Sequence, residues 1–284
     1  MTQLPGVLAR LRDSGLAPRK RLGQHFLHDP QLLRALVSDA GVTASDHVFE
    51  VGTGPGTLTR ELALRARSVL SVDVDPGLLA FARDEIGPTQ NVELLEVNAI
   101  EKGLRLAGSL QDRLRREGRF LWVSNLPYGI ASPLIVAVLQ AELPWASASV
   151  LVQDEVAERL ASRPGSKTYG ALTALVAFWA RVTLGRKIPP GAFWPPPAVH
   201  SRVVHLEPSG PLGRAEEFAP YSAWVKRLFQ GRRKQVGGLL RGLLGPELAR
   251  AAAINAQLLP SQRPEQLRPE DFLRLAREFP AFSL

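Results

Sequence analysis

The chain has 284 residues, 45% of them hydrophobic, with a formal net charge of +8 and a pI near 10.4. This composition excludes global disorder and leaves room for one large domain and a smaller one. The absence of cysteine excludes disulfides and Cys-ligated zinc, and no apolar run approaches the ~20 residues of a membrane span.

Arg10, Arg12, Arg19, Lys20 and Arg21 interrupt the N-terminal stretch where a signal peptide needs an apolar core, so the expectation is a cytoplasmic protein. Residues 1–18 read as a mobile basic arm or a first helix. Basic residues cluster at Arg19-Lys20-Arg21 and at Arg232-Arg233-Lys234, which with the net charge points to an acidic partner, most simply nucleic acid. Asp29-Pro30 predicts a helix start, followed by Leu32, Leu33, Leu36 and Val37 on one face. His25 and His28 have no carboxylate or further histidine at ligand spacing, so no metal is expected.

Val48 to Val51 reads as a buried strand running into Gly52-Thr53-Gly54-Pro55-Gly56 and then a helix. Glycines at such a turn let the backbone approach a ligand at the helix N-terminus. The spacing is Gly-x-Gly-x-Gly with Glu50 before it, which is not the dinucleotide pattern Gly-x-Gly-x-x-Gly. The next strand, Ser68 to Val74, carries Asp73 at its end, placed to accept the two hydroxyls of a ribose. Leu78 to Glu85 reads as helix, Val92 to Val97 as a third strand leading to Asn98-Ala99, and Arg105 to Arg116 as a charged amphipathic helix.

Phe120 to Val123 is a fourth strand, and it ends at Asn125-Leu126-Pro127-Tyr128. In open α/β sheets that end is where ligands bind. Pro127 restricts Leu126 to extended geometry and removes a donor, so an amide, a freed carbonyl and an aromatic face are offered together, a set suited to the amino group of a base. Ser132 to Ala141, Val156 to Leu160 and Leu172 to Arg181 read as helices, and Ser149 to Val152, Val182 to Leu184 and Ser201 to Leu206 as strands. Between the last two strands, Ile188 to Pro197 is too Pro-rich for either state. It either presents Phe193 and Trp194 or plugs the core with them. The alternation predicts an α/β domain over 1–208 with a mostly parallel, doubly wound sheet, then an all-helical domain over 209–284.

The glycine loop with Glu50 and Asp73 resembles the S-adenosylmethionine site of Rossmann-like class I methyltransferases. Taken with Gly23-Gln24-His25-Phe26-Leu27, Asn125 to Tyr128, Phe193 to Pro197 and Gln230 to Lys234, the chain resembles the KsgA-type small-subunit ribosomal RNA adenine dimethyltransferases. The resemblance implies that Gln24, His25 and Leu27 lie near the methionine end of the cofactor. It also implies that Gly52, Gly54 and Gly56 line it, Asp73 holds the ribose, Val74 packs on the adenine, and Asn98 and Ala99 meet the adenine edge. Asn125 would touch both the cofactor and the target base, and with Leu126 would accept the N–H groups of the target amine, with Tyr128 and Phe193 sandwiching the base. Arg19, Lys20, Arg21, Arg232, Arg233 and Lys234 would grip RNA. The implied activity is dimethylation of N6 on two adjacent adenines near the 3′ end of 16S rRNA, by a monomer acting on the immature small subunit without metal or membrane. Gly129, Asn98, His25 and Asp73 depart from the usual Asn, acid, Asn and Glu. The alternatives are a ribosome-assembly factor with vestigial catalysis and a large-subunit rRNA methyltransferase of the macrolide-resistance type. A glutamine-directed protein methyltransferase would need Pro where Leu126 stands.

Overall fold

A computed structural model describes residues 6–280, the side chain of Lys20 excepted. Seven strands form the central sheet: β1 (His47–Val51), β2 (Ser68–Asp73), β3 (Val92–Glu96), β4 (Phe120–Asn125), β5 (Trp145–Gln153), β6 (Ala180–Ile188) and β7 (Ser201–Pro208). Their order is β3-β2-β1-β4-β5-β7-β6. The first five run parallel, and β7 is antiparallel to β5 with Ser201 opposite Gln153. The sheet is the doubly wound α/β sheet expected. Its strand order reverses between β1 and β4, and a crevice opens outside the carboxyl ends of strands at such a switch point.

The local sequence explains these elements. Helix Pro30–Asp39 starts where Asp29 accepts from the backbone N–H of Gln31 at 2.8 Å and of Leu32 at 3.1 Å, with Pro30 supplying the pre-set φ of the first turn. Asp75 and Pro76 open Pro76–Ile86 in the same way. Val48, Val69, Leu121, Val123 and Leu151 of the strands pack against Leu33, Leu36, Val37, Leu58 and Leu62 of the helices Pro30–Asp39 and Thr57–Ala63. Because both faces of these strands are covered, they read as continuous apolar runs and not as alternation.

The structure decides or corrects the sequence reading in three places. Of the two readings of residues 1–18, Gly6–Asp13 takes the helix and not the mobile arm, with Leu8 and Leu11 buried in a cluster with Phe26 and Leu78; residues 1–5 lie outside the described part. Arg105–Leu106 pairs with Ile100–Glu101 as a hairpin, so the charged helix begins only at Gly108; Gly103 and Leu104, both at positive φ, turn the chain there. The Pro-rich segment forms a short 3₁₀ turn and a two-residue strand, Phe193–Trp194, that pairs with Phe26–Leu27.

The chain divides into two compact units, one of residues 1–157 and 183–207, the other of residues 158–182 and everything from Pro208 on. A single boundary after Pro208 therefore does not describe the division. Phe178 packs with Phe218 and Tyr221 at ring-centroid distances of 5.2 and 5.0 Å, and the Tyr221 hydroxyl donates to the carbonyl of Ala174 at 2.6 Å. These contacts tie helix Ala171–Ala177 to Phe218–Gln230 inside the second unit. That unit is otherwise helical, with Val236–Leu244, Pro246–Asn255 and Pro269–Glu278.

Leu11 is fully buried, so Leu11→Ala should destabilise the first unit by about 2–4 kcal/mol, the usual cost of emptying a core leucine site. Urea unfolding measures this, and an unchanged midpoint would mean that the N-terminal helix does not dock.

Candidate active site

The glycine loop follows β1 directly. Gly52 has φ +92°, and a Cβ there would stand 3.3 Å from both the Asn125 carbonyl oxygen and the Pro127 ring. A side chain at Gly54 (φ +53°) would meet the Phe26 ring at 3.0 Å. Two glycines are thus required at once by backbone conformation and by close approach to neighbouring segments. The Gly54 N–H donates to Asp73 Oδ2 at 2.9 Å, and the Asp75 N–H to Asp73 Oδ1 at 3.0 Å. Burial pushes the Asp73 carboxyl above its ordinary range, and these backbone donors oppose that rise.

Asn125 ends β4. Its Nδ2 donates to the backbone carbonyl of His25 at 2.9 Å, while among the described residues its buried Oδ1 has no hydrogen-bond partner. The Leu126 N–H is taken by the Leu151 carbonyl at 3.1 Å, and Ile130 N–H by Pro127 O at 3.1 Å, which fixes the turn. The Tyr128 ring stacks on His25, with centroids 5.0 Å apart and planes 27° apart, and its hydroxyl bonds Ser201 Oγ. Burial raises the Tyr128 phenol above its ordinary pKa. His25 Nδ1 lies 2.7 Å from the Pro195 carbonyl oxygen.

Asn125, Leu126, Pro127 and His25 line a cleft of about 540 Å³, and the half-buried Tyr128 is not among its lining residues. Of the residues expected to bind a cofactor, the cleft brings together Gln24, His25, Gly52, Gly54, Asp73, Val74, Asn98, Ala99 and Asn125, with Leu126 beside them. Arg19 and Arg21, expected at an RNA surface, line its rim, and Arg19 pairs with Asp75 at 3.2 Å. Asn98 Oδ1 accepts from the Ile100 N–H at 3.2 Å. Leu27, Glu50 and Gly56 are buried behind the cleft wall. Phe193, expected to stack on a base, is 2% exposed in the apolar core with Leu27 and Leu36, because strand pairing with Leu27 turns it inward. It has no open face toward the cleft.

Glu50 instead anchors a polar cluster that the sequence reading missed. Its Oε2 accepts from Thr59 Oγ1 and Ser71 Oγ, each at 2.6 Å, and Thr53 Oγ1 lies 2.7 Å from Ser71 Oγ. The signal was present in Ser71, a hydroxyl within an apolar strand and in register with Glu50 on β1. Complete burial pushes the Glu50 carboxyl up to about 8, against the two hydroxyl donors.

In the second unit, Arg233 and Lys234 are exposed, whereas Arg232 is tied to Glu265 at 2.8 Å and to the Lys167 carbonyl at 2.5 Å. The side chain of Lys20, also expected on RNA, lies outside the described part. Among the described residues no group of His, Asp and Glu is arranged to hold a metal ion, and no helix is long and apolar enough to cross a membrane.

A model of the ribosomal RNA adenine dimethylase family matches residues 15–280. The chain belongs to that family. It is 38% identical over 260 residues to the ribosomal RNA small subunit methyltransferase A of Rubrobacter xylanophilus, covering 92% of this chain and 94% of that one. It is 34% identical over 272 residues to the protein of the same name from Leuconostoc mesenteroides, covering 94% and 92%. Among solved structures, a dimethyladenosine transferase from Plasmodium falciparum superposes with a TM-score of 0.73 at 23% identity, over 92% of this chain and 99% of that one. The 23S rRNA methyltransferase ErmE superposes with a TM-score of 0.64 at 26% identity, over 89% and 98%. The fold is therefore that of the family's Rossmann-like methyltransferases.

Glu50 yields a pH test. A carboxyl raised from 4.5 to about 8 in the folded chain contributes stability that is complete below pH ~4.5 and is lost as pH rises through 8. Glu50→Gln keeps the acceptor and removes the titration. The difference between wild type and Glu50→Gln in urea unfolding should therefore shift against wild type by several kcal/mol, on the order of 4, between pH 4.5 and 8.5. A pH-independent difference would contradict this.

Proposed function

We propose that the protein transfers methyl groups from S-adenosylmethionine to N6 of two adjacent adenines near the 3′ end of 16S rRNA, acting as a single chain on the immature small subunit. The observation that carries the reading is Asn125, a cleft-lining residue whose Nδ2 donates to the His25 carbonyl while its buried Oδ1 has no hydrogen-bond partner among the described residues. The higher identity to small-subunit enzymes, 34–38% against 26% for ErmE, favours the small subunit over the large.

The residues present fit the cofactor. Gly52 and Gly54 are cradles that a Cβ would fill, Asp73 stands where a ribose would be held, and Val74 and Ala99 offer apolar contact for an adenine ring. Bound there, S-adenosylmethionine supplies a methyl group on an already activated sulfonium. The remaining work falls to the chain. The lone pair of an adenine amine is delocalised into the ring, so Asn125 Oδ1 and the Leu126 carbonyl, by accepting its two N–H groups, would localise that pair toward the methyl. Both acceptors are fixed before the base arrives, by the His25 carbonyl and by the Leu151 carbonyl on Leu126 N–H, so they need no reorganisation in the transition state. Tyr128 provides a ring for a base extruded from its RNA, a contact worth roughly 1–3 kcal/mol. The exposed Arg233 and Lys234 would meet phosphates, and Arg232 would hold the loop at Lys167 in place.

Incubation with unmodified small subunits and labelled cofactor, followed by nucleoside analysis, should yield dimethyladenosine. Asn125→Ala should lower turnover about 10²–10³-fold, the scale of losing one preorganised polar contact. Tight subunit binding without transfer would favour an assembly factor instead. Arg233→Ala and Lys234→Ala should each reduce the salt dependence of RNA binding by about one phosphate contact. Arg232→Ala should lower the thermal stability of the protein, and an unchanged melting temperature would return Arg232 to the RNA surface.

A further inference from the structure

We propose that His25 is a positioning residue for the target base: its imidazole is the fixed layer beneath Tyr128, so that an incoming base stacks on the opposite face of that ring. This rests on the base-methylating reading above.

Three contacts of one residue support it. The His25 and Tyr128 rings are stacked at 5.0 Å, which closes one face of the tyrosine. His25 Nδ1 is 2.7 Å from the Pro195 carbonyl oxygen. A carbonyl only accepts, so Nδ1 carries the hydrogen and the ring plane is fixed against the Pro-rich segment. The His25 carbonyl in turn holds Asn125 Nδ2. The tyrosine is fixed at its other end by Ser201, so the platform is held by ring face and by tip. One residue thus places the flat surface and the polar acceptor in a common frame. Gly23 reinforces that frame, since its positive φ lets the chain pass within 3.1–3.3 Å of the Gly129 and Tyr128 nitrogens, as measured from an added Cβ.

Phe193 strengthens the case by its burial. With that ring 2% exposed in the core, a sandwich of the base between Tyr128 and Phe193 is closed off, and the Tyr128 ring is left to carry the base from one side. The arrangement is then a three-layer stack of base, Tyr128 and His25. The competing role is that His25, which lines the cleft, serves the cofactor.

The two roles separate in the full-length variants His25→Ala, His25→Asn and His25→Phe. Three quantities are measured: the Kd for S-adenosylhomocysteine by calorimetry, kcat and KM on unmodified small subunits, and the fluorescence quench of 2-aminopurine placed at a target position in an RNA fragment. Positioning through Tyr128 predicts that His25→Ala and His25→Asn lose about tenfold in kcat/KM and most of the quench, as expected for impaired stacking. His25→Phe, which restores a ring without the N–H, should recover most of the quench. The S-adenosylhomocysteine Kd should stay within about threefold throughout and shows that each variant is folded. A loss of cofactor affinity matching the loss of turnover would overturn the proposal, as would a quench in His25→Ala equal to wild type. Wild-type turnover is the separate control. Its absence would remove the function reading and this proposal with it, whereas normal wild-type turnover with an unimpaired His25→Ala would remove only the proposal.

Discussion

The hydrogen bond from Asn125 Nδ2 to the backbone carbonyl of His25 decides what the cleft can recognise. An amide has a donor end with two N–H groups and an acceptor end, and holding the donor end on the His25 carbonyl fixes which way the acceptor oxygen is turned. A buried acceptor without a partner is costly, on the order of 1–3 kcal/mol, and a chain keeps such a group where a ligand donor repays it. The consequence is a site complementary to N–H groups, which suits an amine and disfavours a carbonyl-bearing base edge. Reversal of the amide would reverse that preference.

That polarity depends on several segments meeting at one place. The sheet's order reverses between β1 and β4, so the glycine loop and the Asn125 turn emerge side by side, close enough that a methyl group on Gly52 would touch both Asn125 and Pro127. The segment Gly23–Leu27 is held against them by strand pairing with Phe193–Trp194 and by the buried helix at Gly6–Asp13. Behind the loop, Glu50, Thr59, Ser71 and Thr53 form a polar cluster in an otherwise apolar layer. A neutral Glu50 carboxylic acid avoids burying a charge there, which explains why desolvation dominates its shift. Positions far from the methyl transfer thereby set the geometry of the loop.

The parts of this arrangement written in local pattern were legible in the sequence. Strand, glycine loop, helix and Asp73 follow one another within a short stretch, and Asp29-Pro30 marks a helix start by capping chemistry alone. What the sequence hid depends on partners distant in the chain. Gly6–Asp13 is too short to be stable as an isolated helix and exists because Phe26 and Leu78 cover its leucines. For Phe193 the Pro-rich loop leaves presentation and core plugging both open, and its pairing with Leu27, distant in the chain, turns it inward. Arg232 is one of three adjacent cations in the sequence, yet it is paired with Glu265, 33 residues away, which no local pattern announces. Residues 158–182 continue the strand-helix alternation, and long-range contacts such as the aromatic cluster around Phe178 and the Arg232 bond to the Lys167 carbonyl assign them to the second unit.

The account turns on the orientation of one side chain, and a high-resolution structure of the protein with a cofactor analogue and an adenine-bearing RNA fragment tests it most directly. The account predicts that Asn125 Nδ2 remains on the His25 carbonyl while Oδ1 accepts from the adenine N6 amine at about 2.8–3.1 Å. An Asn125 amide turned so that Nδ2 faces the base, or an adenine amine held by other groups with Asn125 uninvolved, would contradict it.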